Sequence, residues 1–105
     1  MKRGKFTLRY LPKFEDDLSE IVDYISLRFH NPDSALKLVN KVEQAIMERL
    51  TCPLSFEPFP SVKKRKYPYY RIYIDNFTVY YVVIDETMEI RRILYNKRNA
   101  NQIIR

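Results

Sequence analysis

The apolar period of this chain changes once, from the three- and four-residue spacing of helices to the two-residue spacing of strands. Phe14, Leu18, Ile21, Val22, Ile25 and Phe29 form one helical stripe. Pro12 sits where a first helical turn tolerates it, and Glu15, Asp16 and Asp17 follow where the helix dipole favours acids. Arg28 lies near the other end of that helix. Asn31-Pro32-Asp33 reads as a second helix start, with Asn as N-cap, Pro next and an acid after it. Ala35, Leu38, Val39, Val42, Ala45, Ile46 and Leu50 make the second stripe, which Pro53 closes. Two helices so closely joined are expected to form an antiparallel hairpin.

Beyond the hairpin, residues 53–68 hold four prolines and the basic run Lys63-Lys64-Arg65-Lys66, and they read as a loop. Residues 69–75, 77–85 and 88–95 are three strands rich in β-branched and aromatic residues. Asp75-Asn76 and Asp85-Glu86-Thr87 are the turns that fold them into an antiparallel meander. A short first strand is expected over residues 5–10, where Phe6 and Leu8 alternate with Lys5, Thr7 and Arg9. The tail from Asn96 carries Lys97, Arg98 and Arg105 and is expected to end in one helical turn. The expected fold is therefore α+β, with the hairpin on one face of a four-stranded sheet.

The 105 residues suit a single domain spanning 1–105, with an ordinary core and no staples. One glycine excludes a Gly-rich phosphate loop, and the single Cys52 excludes an internal disulfide framework. With only His30 beside that cysteine, neither a metal site nor a cofactor is expected. No apolar run approaches a membrane span and no signal peptide is visible, so a cytoplasmic protein without a membrane partner is expected. The formal charge of +6 points to polyanions or an acidic protein as partners.

Two helices cover one face of such a sheet, and the alternation assigns residues to each side. Tyr70, Ile72, Ile74, Phe77, Val79, Tyr81 and Val83 form the core set. Tyr69, Arg71, Tyr73, Thr78 and Tyr80 then point the other way, giving an aromatic and basic second face. Rings interleaved with arginine suit a single-stranded nucleic acid, because rings stack on bases and guanidinium binds phosphate. The competing reading is that these tyrosines pack under a covering segment. Arg91 and Arg92 are expected to diverge, one of them across a bulge.

The order of elements resembles the RelE/ParE superfamily of type II toxin–antitoxin toxins, known also from plasmid stabilisation modules. The likeness is carried by Asp17-Leu18-x-x-Ile21-x-x-Tyr24-Ile25, the helix start Asn31-Pro32-x-x-Ala35 and the helix exit Leu50-Thr51-Cys52-Pro53. It continues through the stretch from Arg71 to Tyr81 and that from Ile90 to Arg98. The resemblance implies a growth-inhibiting toxin held in check by an antitoxin whose extended segment wraps it. RelE-like members cut mRNA on the ribosome without a metal, whereas ParE-like members poison DNA gyrase.

Carried over to this sequence, the resemblance assigns Arg71 and Arg98 to steadying phosphate in RNA cleavage. Glu57 could supply the base, as a loop glutamate does in some relatives, and Tyr95 could move a proton. Tyr69, Tyr73, Thr78, Tyr80 and Lys97 would contact RNA or partner. The departures are equally specific. Thr78 stands where an arginine is expected, Tyr73 replaces a lysine, and Ile104 takes the place of a C-terminal tyrosine. His30 lies in the helix connection, away from any histidine the family uses. Three functions stay open: a ribosome-dependent mRNA endonuclease, which leads; a non-enzymatic gyrase inhibitor; and a weakened toxin kept for antitoxin binding. An antitoxin partner is implied by all three, burying Tyr73, Tyr80 or Arg71, or adding a strand to an open sheet edge.

Overall fold

A computed structural model describes residues 5–60, 65–98 and 100–103. Lys63 and Lys64 of the basic run, Ile104 and Arg105 lie outside the described residues. The chain runs through β1 (Thr7–Tyr10), α1 (Pro12–Arg28), α2 (Pro32–Leu50), β2 (Tyr70–Ile74), β3 (Phe77–Ile84), β4 (Thr87–Tyr95) and a short α3 (Ala100–Ile103).

Both long helices begin with proline at their first turn, and the Asn31 side chain caps α2 by accepting the Ser34 N–H at 3.2 Å. The hairpin turns at His30, whose φ of 50° lies in the left-handed region. Asp75 and Asp85 adopt the same region at the two meander turns, where a short polar side chain tolerates it.

The sheet order is β1-β4-β3-β2. β2, β3 and β4 are antiparallel, while β1 lies parallel to β4, aligning Thr7 with Thr87 and Tyr10 with Ile90. The helices cover one face. Leu38, Val42 and Ile46 of α2 bury against Ile72, Val79 and Tyr81, with Leu18, Ile21 and Ile25 of α1 half-buried at the margin. The expected core set is all present there, though Phe77 is only partly buried. Phe29 departs from the expected stripe: it ends α1 exposed.

The second face is not open. Tyr69, Tyr80, Val82 and Leu94 are buried on it, packed under Phe59 and Tyr67 of the proline-rich loop and Ala100 and Ile103 of α3. The covering segments are thus the loop and the tail, and the tyrosines serve as a second small core.

Candidate functional site

Arg71 leaves the middle of β2 on this second face, opposite Tyr80 of β3. Its guanidinium lies 4.9 Å from the centre of the Phe59 ring and 5.6 Å from that of Tyr73. Such ring contacts fix the plane of a guanidinium and leave its in-plane N–H groups free to donate. Among the described residues none accepts a hydrogen bond from it. Tyr73 is exposed, at 64%.

Its expected companions are on the same face but are not exposed with it. Tyr69, Thr78 and Tyr80 are buried, at 7%, 2% and 6% exposure, so they cannot stack on bases as they stand. The Thr78 hydroxyl donates to Asn96 Oδ1 at 2.5 Å, and the Tyr80 ring meets Phe59 edge-on at 5.5 Å. Burial pushes the Tyr80 hydroxyl above its ordinary pKa, with neighbouring Tyr73 adding to the shift and Arg71 opposing it.

Arg98 lies along α1, among residues that do not include Arg71. It follows β4 in a turn closed by its N–H to the Tyr95 carbonyl, and its exposed side chain lines a groove of about 430 Å³ along α1. Lys13, Asp16, Glu20 and Arg92 line the same groove. Tyr95 packs its ring 5.7 Å from Phe77, which belongs to the helix-covered core. Tyr95 and Arg71 therefore serve opposite faces of the sheet. Glu57 is exposed in the loop, and Lys97 is exposed after β4. His30 is exposed as expected.

Arg91 and Arg92 diverge across a bulge, where Tyr80 pairs with Arg92 but Tyr81 pairs with Ile90. Arg92 binds Asp17 of α1 through Nε at 2.7 Å and Nη2 at 2.9 Å. On the other face Arg91 binds the buried Glu89 at 2.8 Å and donates to the Tyr69 hydroxyl at 3.2 Å. Arg9 of β1 approaches the same carboxylate at 3.5 Å.

Two structural charges were hidden in the sequence by their type. Arg49 of α2 donates to the Arg71 carbonyl at 3.0 Å and to the Tyr81 hydroxyl at 2.9 Å, with its guanidinium 3.5 Å from the Phe56 ring centre. The Tyr81 hydroxyl in turn donates to the Pro53 carbonyl at 2.8 Å. Asp17 is the other. The signal existed in both cases, because Asp17 follows Phe14 by three and Arg49 follows Ile46 by three, which puts each charge on an apolar stripe.

Residues 8–100 match the family described as the ParE toxin of type II toxin–antitoxin system, parDE. The chain belongs to that family, and it is a toxin of a type II toxin–antitoxin module. Among solved structures, the chromosomal ParDE toxin–antitoxin system from P. aeruginosa is similar at 19% identity and a TM-score of 0.72, over 87% of this chain and 96% of that one. The RelB-RelE antitoxin–toxin complex from Methanococcus jannaschii is similar at 19% identity and a TM-score of 0.46, over 85% and 91%. No curated protein sequence matches at a significant level. Among the described residues, no helix is long and apolar enough to cross a membrane.

Proposed function

We propose that this toxin inhibits DNA gyrase by binding, and that it does not cleave RNA. One observation carries the reading. RNA cleavage through the ribose 2′-OH needs a base, a phosphate clamp and an acid converging on one phosphate. The four side chains that the resemblance assigns to those roles are dispersed: Arg71 on one sheet face, Tyr95 packed on the other, Arg98 along α1 and Glu57 exposed in the loop. The buried Tyr69 and Tyr80 also remove the stacking platform that a single strand would use. Membership of the ParE family, whose members the resemblance links to gyrase, supports the same reading.

The partner in the cell is an antitoxin, as in the toxin–antitoxin system solved from P. aeruginosa. Tyr73 and Arg71 remain available for it, whereas Tyr80 does not. An acidic antitoxin segment would gain affinity and association rate from the +6 charge.

The test is expression without antitoxin, with DNA breaks and mRNA integrity followed in parallel, and purified toxin added to gyrase supercoiling assays. The gyrase reading expects loss of supercoiling or trapped breaks while mRNA stays intact. Rapid mRNA cleavage with undisturbed gyrase would restore the nuclease.

A further inference from the structure

The second face carries more cations than its one buried carboxylate, Glu89, can match. Arg9, Arg65, Lys66, Arg71 and Arg91 gather over or beside its rings, and Glu89 is the carboxylate buried among them. Arg65 lies 5.0 Å from the Tyr69 ring centre, Lys66 lies 5.4 Å from that of Tyr67, and Arg71 lies against Phe59. Arg91 is fully engaged by Glu89 and Tyr69, so it braces the patch. Arg71 and Lys66 are different: each meets rings and, among the described residues, no carboxylate.

Side chains already held by rings lose little rotamer freedom when an anion arrives, so a patch of this kind is pre-organised. It is also broad. Arg9 on β1 and Arg71 on β2 stand at the two edges of a four-stranded sheet, roughly 14 Å apart at the usual strand spacing of about 4.8 Å. A row of cations that wide suits a rod with regularly repeated charge better than one acidic side chain.

Because Tyr69 and Tyr80 are buried, they cannot take up unpaired bases, and Tyr73 alone among the three is exposed. We infer that this face binds the phosphate backbone of duplex DNA, with Arg71 and Lys66 as the direct phosphate ligands and Arg9 and Arg65 flanking them. The inference rests on the gyrase reading only for its biological setting, since gyrase works on duplex DNA. Contacts of this class position a protein without reading sequence.

Fluorescence anisotropy with a labelled 20-base-pair duplex, between about 50 and 200 mM salt, tests it. Affinity should fall steeply with salt and be indifferent to sequence. Arg71→Gln and Lys66→Gln should each lower the slope of log K against log salt by about one. Arg28→Gln and Lys37→Gln, which remove equal charge from the helical hairpin, should leave the slope unchanged. Equal losses from both pairs, no binding at 50 mM salt, or tighter binding of single-stranded than duplex DNA would overturn the inference. So would duplex binding displaced only by an acidic polypeptide and insensitive to Arg71. A toxin that inhibits gyrase without binding DNA removes this inference and leaves the gyrase reading standing. A toxin that binds duplex through Arg71 but spares gyrase supports the inference and removes that reading.

Discussion

Asp17 and Arg92, 75 residues apart, form a two-point ion pair in which both carboxylate oxygens are engaged, and Asp17 also accepts the Ile93 N–H at 3.1 Å. Both side chains are largely shielded from water. The pair ties α1 to β4 at the bulge, where the ladder is interrupted. Asp17→Asn leaves a shielded guanidinium without its counter-charge and should destabilise the fold by about 3 kcal/mol in urea unfolding. A change below about 0.5 kcal/mol would mean the pair is no better than an exposed one.

Ile46 is completely buried between α2 and the sheet, whereas Leu18 packs at the margin of the same core. Ile46→Ala should cost roughly 2–5 kcal/mol, and Leu18→Ala distinctly less. Equal thermal midpoints for the two variants would contradict this difference in depth.

Arg49 connects the end of α2 to β2, β3 and the loop beyond Pro53 through Arg71, Tyr81 and Phe56. Arg49→Ala should remove about 2 kcal/mol and, more tellingly, raise hydrogen exchange at Ser55 and Phe59. The Ser55 N–H bonds the Cys52 carbonyl and the Phe59 N–H bonds the Tyr69 carbonyl, so both amides report on whether the loop stays docked.

Burial raises the pKa of Tyr81, with the Arg49 hydrogen bond and charge pulling the other way, and it raises that of Tyr80 as well. Above about pH 10 the unfolded chain ionises its tyrosines while the folded chain keeps these two neutral. The unfolded state then holds fewer protons, so stability falls as pH rises through that range. The thermal midpoint should decline from about pH 9 to pH 11, and Tyr80→Phe, which keeps the ring against Phe59, should flatten the decline. An unchanged slope in that variant would remove Tyr80 from the account.

Arg98 separates the two activities. Under gyrase inhibition Arg98→Ala should fold normally and still arrest growth with intact mRNA. Loss of toxicity with normal folding and antitoxin binding would bring RNA cleavage back.

The elements were legible because their periods were clean: Val42 and Ile46 on one helix face, Ile72, Val79 and Tyr81 on one sheet face. The pair Arg91-Arg92 pointed to a divergence, since successive strand residues face opposite sides, but the bulge that sets their phase came from the register. The covered second face was not. Phe59, Tyr67 and Ile103, which close over Tyr69 and Tyr80, lie in segments without any period, and long-range docking of such segments leaves no local signature. The site suffered from the same blindness. The alternation of β2 places Arg71 on its face, but the side that Arg98 serves depends on the turn after Tyr95, which has no period.

β1 has β4 as its strand neighbour, so residues 7–10 wait for residues 87–90 before gaining any ladder. During synthesis the first strand of this sheet therefore leaves the ribosome long before the strand that holds it exists. Closing so wide a loop is slow compared with forming the local hairpin of α1 and α2. The order of pairing thus leaves the first strand of the chain as the last edge the sheet can acquire.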